Sequence, residues 1–161
     1  KWIRANSEKN FDKNGDVART GKIDKVILEQ AIDNFFYSDP VKKKSLDTND
    51  FDISFAKSLS LGDGAATITE LTADILSKKL SNKDIYVCGG GRKNYFLIDS
   101  IQRKIKNKIF QIDDLGIDGS FIESQAFGYL AIRSYLKLPI SFPETTGCKE
   151  QCTGGKIVKN Y

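Results

Sequence analysis

The order of elements along these 161 residues predicts an α/β fold. Three observations carry that expectation. A short strand-forming run, Ile85-Tyr86-Val87-Cys88, ends in three glycines; a helix and then a second strand follow it; and the flanking segments repeat their apolar residues at helical spacing. A strand, a crossover helix and a second strand pair in parallel within one sheet. With 40% hydrophobic residues the chain can bury the core of one domain, and residues 1–161 read as a single unit.

From the N-terminus, Phe11 to Asp16 reads as a turn. Lys22 to Phe36 follows as an amphipathic helix, with Ile23, Val26, Ile27, Ala31, Ile32 and Phe35 on its apolar face. Ser38 to Asp52 is polar and irregular, and a short helix is expected through Phe51, Phe55 and Leu59. Gly62-Asp63-Gly64 then reads as a break. A new helix is expected near Thr67, where Thr67 and Glu70 have capping-box spacing, with a stripe of Ile68, Leu71, Ile75 and Leu76 and an end at Ser81-Asn82. Beyond the glycines, Leu97, Ile98, Ile101 and Ile105 share one helix face, and Lys108 to Ile112 alternates as the second strand. Ser120 to Leu136 forms the longest expected helix, stopped by Pro139, and the tail from Pro143 is loop with a short strand at Lys156 to Val158. Two or three strands leave an exposed sheet edge, a condition complete domains avoid. The sheet therefore reads as incomplete, and its edge as a place where another chain, a second copy included, can pair.

Lysine and arginine number 25 against 21 acids, so the net charge of +4 is small and its signs are interspersed. Nucleic acid is not expected as a partner. The basic run Lys42-Lys43-Lys44 has no aromatic platform beside it and reads as a solvated face. No stretch approaches the roughly 18 consecutive apolar residues of a membrane span, and Lys1-Trp2-Ile3-Arg4 does not open a signal peptide. Three cysteines, Cys88, Cys148 and Cys152, fit a reducing compartment, so a soluble, cytoplasmic protein is expected. Methionine is absent, which places the initiator outside these residues. Histidine is absent too, which excludes Ser-His-Asp and Cys-His nucleophile systems and histidine zinc sites from within this chain.

The strongest constellation is Cys88-Gly89-Gly90-Gly91-Arg92-Lys93-Asn94. A strand running into consecutive glycines lets backbone approach a ligand closely, and the helix behind it offers free amides and a positive dipole end to a nucleotide. A plain tight turn is the competing reading. Neither the dinucleotide fingerprint nor a Walker loop is present, since Asn94 stands three positions after Gly91 and no Gly-Lys-Ser/Thr follows. Glu123 is the second candidate. With Ser120 it has the spacing of a capping box, but it also sits near the carboxyl end of the second strand, where α/β folds bind ligands. Asp12-x-Asn14-x-Asp16 fails as a calcium loop because Val17 and Ile23 occupy the positions of the required glycine and glutamate. Cys148 and Cys152 alone cannot close a tetrahedral site, and Asp47, Asp50 and Asp52 read as solvated charge. No structural metal is expected.

Taken together, the motifs resemble one family over essentially the whole chain, the anhydro-N-acetylmuramic acid kinases. IYVCGGGRKN resembles the family's VCGGGxxN strand and loop, and DDLGIDGSFIESQAFGYLAIR its DxxGI segment and EAxAFAxLA helix, with Glu123 on the family's glutamate. ATITELTA from Ala66, the FDxxGxxAxxG turn from Phe11 and the LP…P…TTG segment from Leu138 are similar as well. The chain departs from the pattern at Lys42, Lys43 and Thr48, where the family has Pro-Pro-Lys-Ser and then an arginine. The resemblance implies the C-terminal lobe of an actin-like, ribonuclease H-like sugar kinase fold, with its first strands and its N-terminal lobe absent. It implies ATP and Mg2+ in a cleft, with anhydro-N-acetylmuramic acid as substrate. Gly89, Gly90, Gly91 and Asn94 would line the nucleotide and Glu123 would face the sugar. No catalytic residue is expected within the chain, because the family's aspartate base lies upstream of Lys1. The lone chain is therefore expected to be inactive; the alternative is a non-catalytic, nucleotide- or partner-binding remnant of a split or decayed gene.

Overall fold

In a computed structural model, residues 1–37, 51–80 and 84–158 are described. The Lys42–Lys44 run, the aspartates Asp47 and Asp50, the atypical Thr48 and the expected helix end at Ser81-Asn82 all lie outside them. Seven helices and two strands occur in these segments: α1 Trp2–Asn6, α2 Asp16–Thr20, α3 Lys25–Tyr37, α4 Leu61–Lys79, β1 Ile85–Val87, α5 Tyr95–Gln102, β2 Ile109–Gln111, α6 Ile122–Tyr135 and α7 Pro143–Thr146. The result is a mixed α/β domain around a two-stranded parallel sheet. Ile85, Tyr86 and Val87 stand opposite Ile109, Phe110 and Gln111, and the Tyr86 and Phe110 rings stack across the ladder at 5.4 Å. Parallel pairing needs a crossover, and α5 supplies it.

The helix at the centre is α4, which packs against α1, α2, α3 and α5. It starts at Leu61, six residues before the expected start, capped by Ser60, whose hydroxyl accepts from the Asp63 amide at 3.1 Å. The glycines read as a break are instead inside its first turns. Gly64 is required there because the Trp2 indole lies flat against it, and a Cβ would stand 2.3 Å from the ring. The Trp2 Nε1 donates to the Leu61 carbonyl at 3.0 Å, so the indole is buried with its polar edge satisfied. Thr67 and Glu70 consequently form no capping box. Thr67 is fully buried and its hydroxyl accepts from the Asp24 amide at 3.0 Å, fixing the start of α3. Glu70 is buried and faces Lys104 at 2.7 Å, with Asp74 2.9 Å from the same ammonium. Burial by itself lowers the Lys104 pKa, but its hydrogen bonds to Glu70 and Asp74 outweigh that, and the net direction is up.

Two apolar clusters flank α4. Trp2, Ile3, Ala18, Ala56 and Ala65 form one; Leu28, Ala31, Leu71 and Ile75 form the other, with Ile23, Ile32 and Phe35 packed on it. Val26, expected on the buried face of α3, is 65% exposed. The expected turn at Phe11 to Asp16 is present as a single 3-10 turn with Asn14 and Gly15 at positive φ, but α2 after it was not anticipated. Asp12 holds that helix start by accepting from the Val17 and Ala18 amides at 2.8 and 2.9 Å. The helix expected through Phe51, Phe55 and Leu59 is reduced to a 3-10 turn, Ser54–Ala56.

In the C-terminal part, α6 has 14 residues against 19 in α4, so it is not the longest helix. It begins at Ile122 rather than Ser120 and stops where Lys137 turns to positive φ. The strand expected at Lys156 to Val158 does not form; the tail is joined instead by an isolated antiparallel bridge between Ser141 and Cys152. No helix among the described residues is long and apolar enough to cross a membrane.

Candidate functional site

The carboxyl end of β1 runs directly into the glycine segment. Gly89 has φ 73 and ψ −176, a backbone region that only glycine populates readily. One 3-10 turn, Gly90–Lys93, then leads into α5. A Cβ added at Gly89, Gly90 or Gly91 would meet nothing within 4 Å, so none of the three is a glycine for packing reasons, and the turn is open to an approaching molecule. Asn94 is placed differently. Its side-chain oxygen accepts from the Leu97 amide at 3.0 Å as the N-cap of α5, and it rests against Gly15 of the turn that precedes α2. The Asp12–Asp16 turn therefore borders the glycine turn.

Arg92, which the sequence reading passed over, organises this region. It is 7% exposed although it follows three glycines at the mouth of a turn. Its Nε and Nη2 donate to the two carboxylate oxygens of Asp113 at 2.8 and 3.0 Å, a bidentate pair. Its Nη1 donates to the Gly89 carbonyl at 2.9 Å and its Nη2 also reaches the Ser120 hydroxyl at 3.2 Å, with Asp118 3.7 Å away. The hydrogen bonds from Arg92 hold the Asp113 carboxyl below the usual carboxylate range, and those to Asp113 raise the guanidinium above its own ordinary value. A signal for the pair existed in the sequence: opposite charges, Arg92 and Asp113, stand just beyond the ends of two strands expected to lie side by side.

Glu123 lies on the first turn of α6 and is exposed. The capping box with Ser120 does not form. The N-cap is Phe121, without a side-chain hydrogen bond, because Ser120 is held in the preceding turn by its amide on Asp118 and its hydroxyl under Arg92. Among the described residues the Glu123 carboxylate has no hydrogen-bond or ion-pair partner; its place in the first turn sets it at the positive end of the α6 dipole. The glycine turn and the segment leading to Glu123 are brought together directly, since the Gly89 amide donates to the Gly119 carbonyl at 2.8 Å. Both candidate regions thus stand at the carboxyl ends of neighbouring parallel strands, the usual ligand edge of an α/β sheet.

Among the described residues no group of three His, Cys, Asp or Glu side chains is arranged to hold a metal. Asp113 and Asp118 face Arg92, so among the described residues they form no Mg2+ cage of their own. All three cysteines are free thiols.

The family model for anhydro-N-acetylmuramic acid kinase matches residues 1–160. Curated relatives with that name are similar along almost the whole chain. The protein of Pelagibacter ubique is 47% identical over 171 aligned residues, covering 99% of this chain and 46% of the relative. Those of Zymomonas mobilis and Agrobacterium fabrum are each 35% identical, covering 97% and 98% of this chain and 44% of each relative. The chain thus spans just under half the length of the curated relatives it matches, and aligns with their C-terminal part. A match to the family model over residues 1–160, with relatives of that name similar along almost the whole chain, makes this chain a member of the anhydro-N-acetylmuramic acid kinase family.

Proposed function

We propose that the chain is the C-terminal part of a kinase that uses ATP and water to convert anhydro-N-acetylmuramic acid to N-acetylmuramic acid 6-phosphate, within a two-lobed, actin-like fold. In that reaction water adds to the anomeric carbon, the bond from that carbon to O6 breaks, and the freed O6 accepts the γ-phosphoryl group as ADP leaves. The proton of the water passes to an aspartate base outside these residues. The observation that carries the reading is the Gly89–Gly91 turn, whose outer side is open in a chain matching this kinase family throughout.

Within the reaction, the chain's own groups bind and orient. Backbone at Gly89, Gly90 and Gly91 lies along the adenosine side of the nucleotide, and Asn94 fixes the start of α5 behind them. Glu123, with no structural partner of its own, turns its carboxylate to the sugar hydroxyls. Mg2+ carried by the nucleotide phosphates would neutralise their charge. Phosphoryl transfer is mostly positioning and charge stabilisation, so one wall of the cleft does not suffice. The reading puts the protein in the cytoplasm, where ATP is made available.

The test is to incubate the purified chain with ATP, Mg2+ and anhydro-N-acetylmuramic acid, alone and with a separately expressed N-terminal half. General-base catalysis by itself contributes about 10²–10⁴ in rate, so sugar phosphate is expected only on mixing. Turnover by the lone chain would remove the need for a second lobe. No turnover in either arm would favour the non-catalytic remnant.

A further inference from the structure

We propose that Arg92 is a positioning residue that locks the glycine turn to the start of α6, so that the backbone meeting the nucleotide and the Glu123 carboxylate meeting the sugar share one fixed geometry. This rests on the function proposed above and adds to it a group that touches neither ligand. Arg92 is turned inward, whereas its neighbour Lys93 is exposed. Its partners lie on three different segments, two of which carry the candidate ligand residues. Gly89 is the first residue of the glycine turn, Asp113 stands two residues beyond the end of β2, and Ser120 precedes Glu123 by three.

The close fit shows how tightly the three are drawn together. Gly119 lies directly beneath the guanidinium, where a Cβ would stand 2.7 Å from the Arg92 Nε, and its amide donates to Asp113 at 3.4 Å. Only a planar fork with separate donors can reach a backbone carbonyl, both oxygens of a carboxylate and a hydroxyl at once; a lysine ammonium in that place reaches one or two of them. A guanidinium this buried is unfavourable unless its donors are satisfied, so loss of any one partner is felt at the others.

The experiment is steady-state kinetics of the full kinase, with ATP and sugar varied separately, for Ser120→Ala, Arg92→Lys and Gly90→Val. Gly90→Val adds bulk in open space and is expected to raise the KM for ATP alone. Ser120→Ala removes only the tie to α6 and should raise the sugar KM about threefold or more at unchanged ATP KM. Arg92→Lys should raise both KM values about tenfold or more. If Arg92→Lys does not fold, Ser120→Ala decides the matter by itself. Both KM values staying within about twofold in these two variants, while Gly90→Val still weakens ATP, overturns the positioning role and leaves the nucleotide reading standing. A fall in apparent kcat at unchanged KM values also overturns it, since that is the signature of less folded enzyme. If Gly90→Val leaves ATP untouched, the nucleotide reading fails and the positioning role fails with it.

Discussion

The helices around α4 and the C-terminal region around α6 are held by different forces. Among the described residues every buried side chain lies at or before Ile101, and nearly all of them surround α4 or lie in the last turn of α5. From Gln102 onward the chain is tied down by polar contacts instead: the Arg92 clamp, Arg133 Nε on the Pro139 carbonyl at 2.6 Å, the Ser134 hydroxyl on the Gly154 carbonyl, and the Ser141–Cys152 bridge. Meanwhile α6, with Glu123 and Arg133 as its only charged residues, exposes Phe127 at 64%, Ile132 at 62% and Tyr135 at 71%. Apolar burial spreads stability over many contacts; a few directional contacts leave a region dependent on each one.

Three measurements test that contrast. The largest effect is expected from Trp2→Ala, which empties the cavity between α1 and the glycines of α4 and should cost about 3–5 kcal/mol by urea denaturation. A cost below about 1 kcal/mol would mean that the helices around α4 are not the stabilising region.

Acid should act on the other region first. The folded pKa of Asp113 is depressed by Arg92, so its contribution to stability is fully present above the ordinary carboxylate value of about 3.9 and is lost as pH falls from there through the lower folded value. Hydrogen-exchange protection at Gly89, whose amide is held on Gly119, should therefore decline in acid before that of the α4 amides. Simultaneous loss in both would indicate one cooperative unit.

The smallest effect is expected on the outer face of α6. Phe127→Gln should change stability by less than about 0.5 kcal/mol while reducing the binding of a hydrophobic dye. A loss above about 2 kcal/mol would show that this ring is packed, contrary to its exposure.

Much of the sheet and the glycine turn at its carboxyl edge was legible in the sequence because it depends on residues close together in the chain. Strand-forming side chains, three glycines and an apolar stripe at helical spacing specify β1, the turn, α5 and β2 within about one crossover unit, and parallel pairing follows from that order. The same local logic located α3 and the chemically open Gly89–Gly91 turn. Other features were decided only by contacts between distant residues. Gly62 and Gly64 look like a break until Gly21 and Thr20 close on the first and the Trp2 indole on the second, making small residues necessary. Thr67 and Glu70 look like a cap until Asp24 and Lys104 draw them inside, and Ser120 with Glu123 until Arg92 takes the serine. A hydroxyl or carboxylate can satisfy a neighbouring amide or a partner thirty residues away with the same chemistry, so residue type and spacing leave the choice open. Tertiary packing makes it, by burying one donor where only one acceptor can reach.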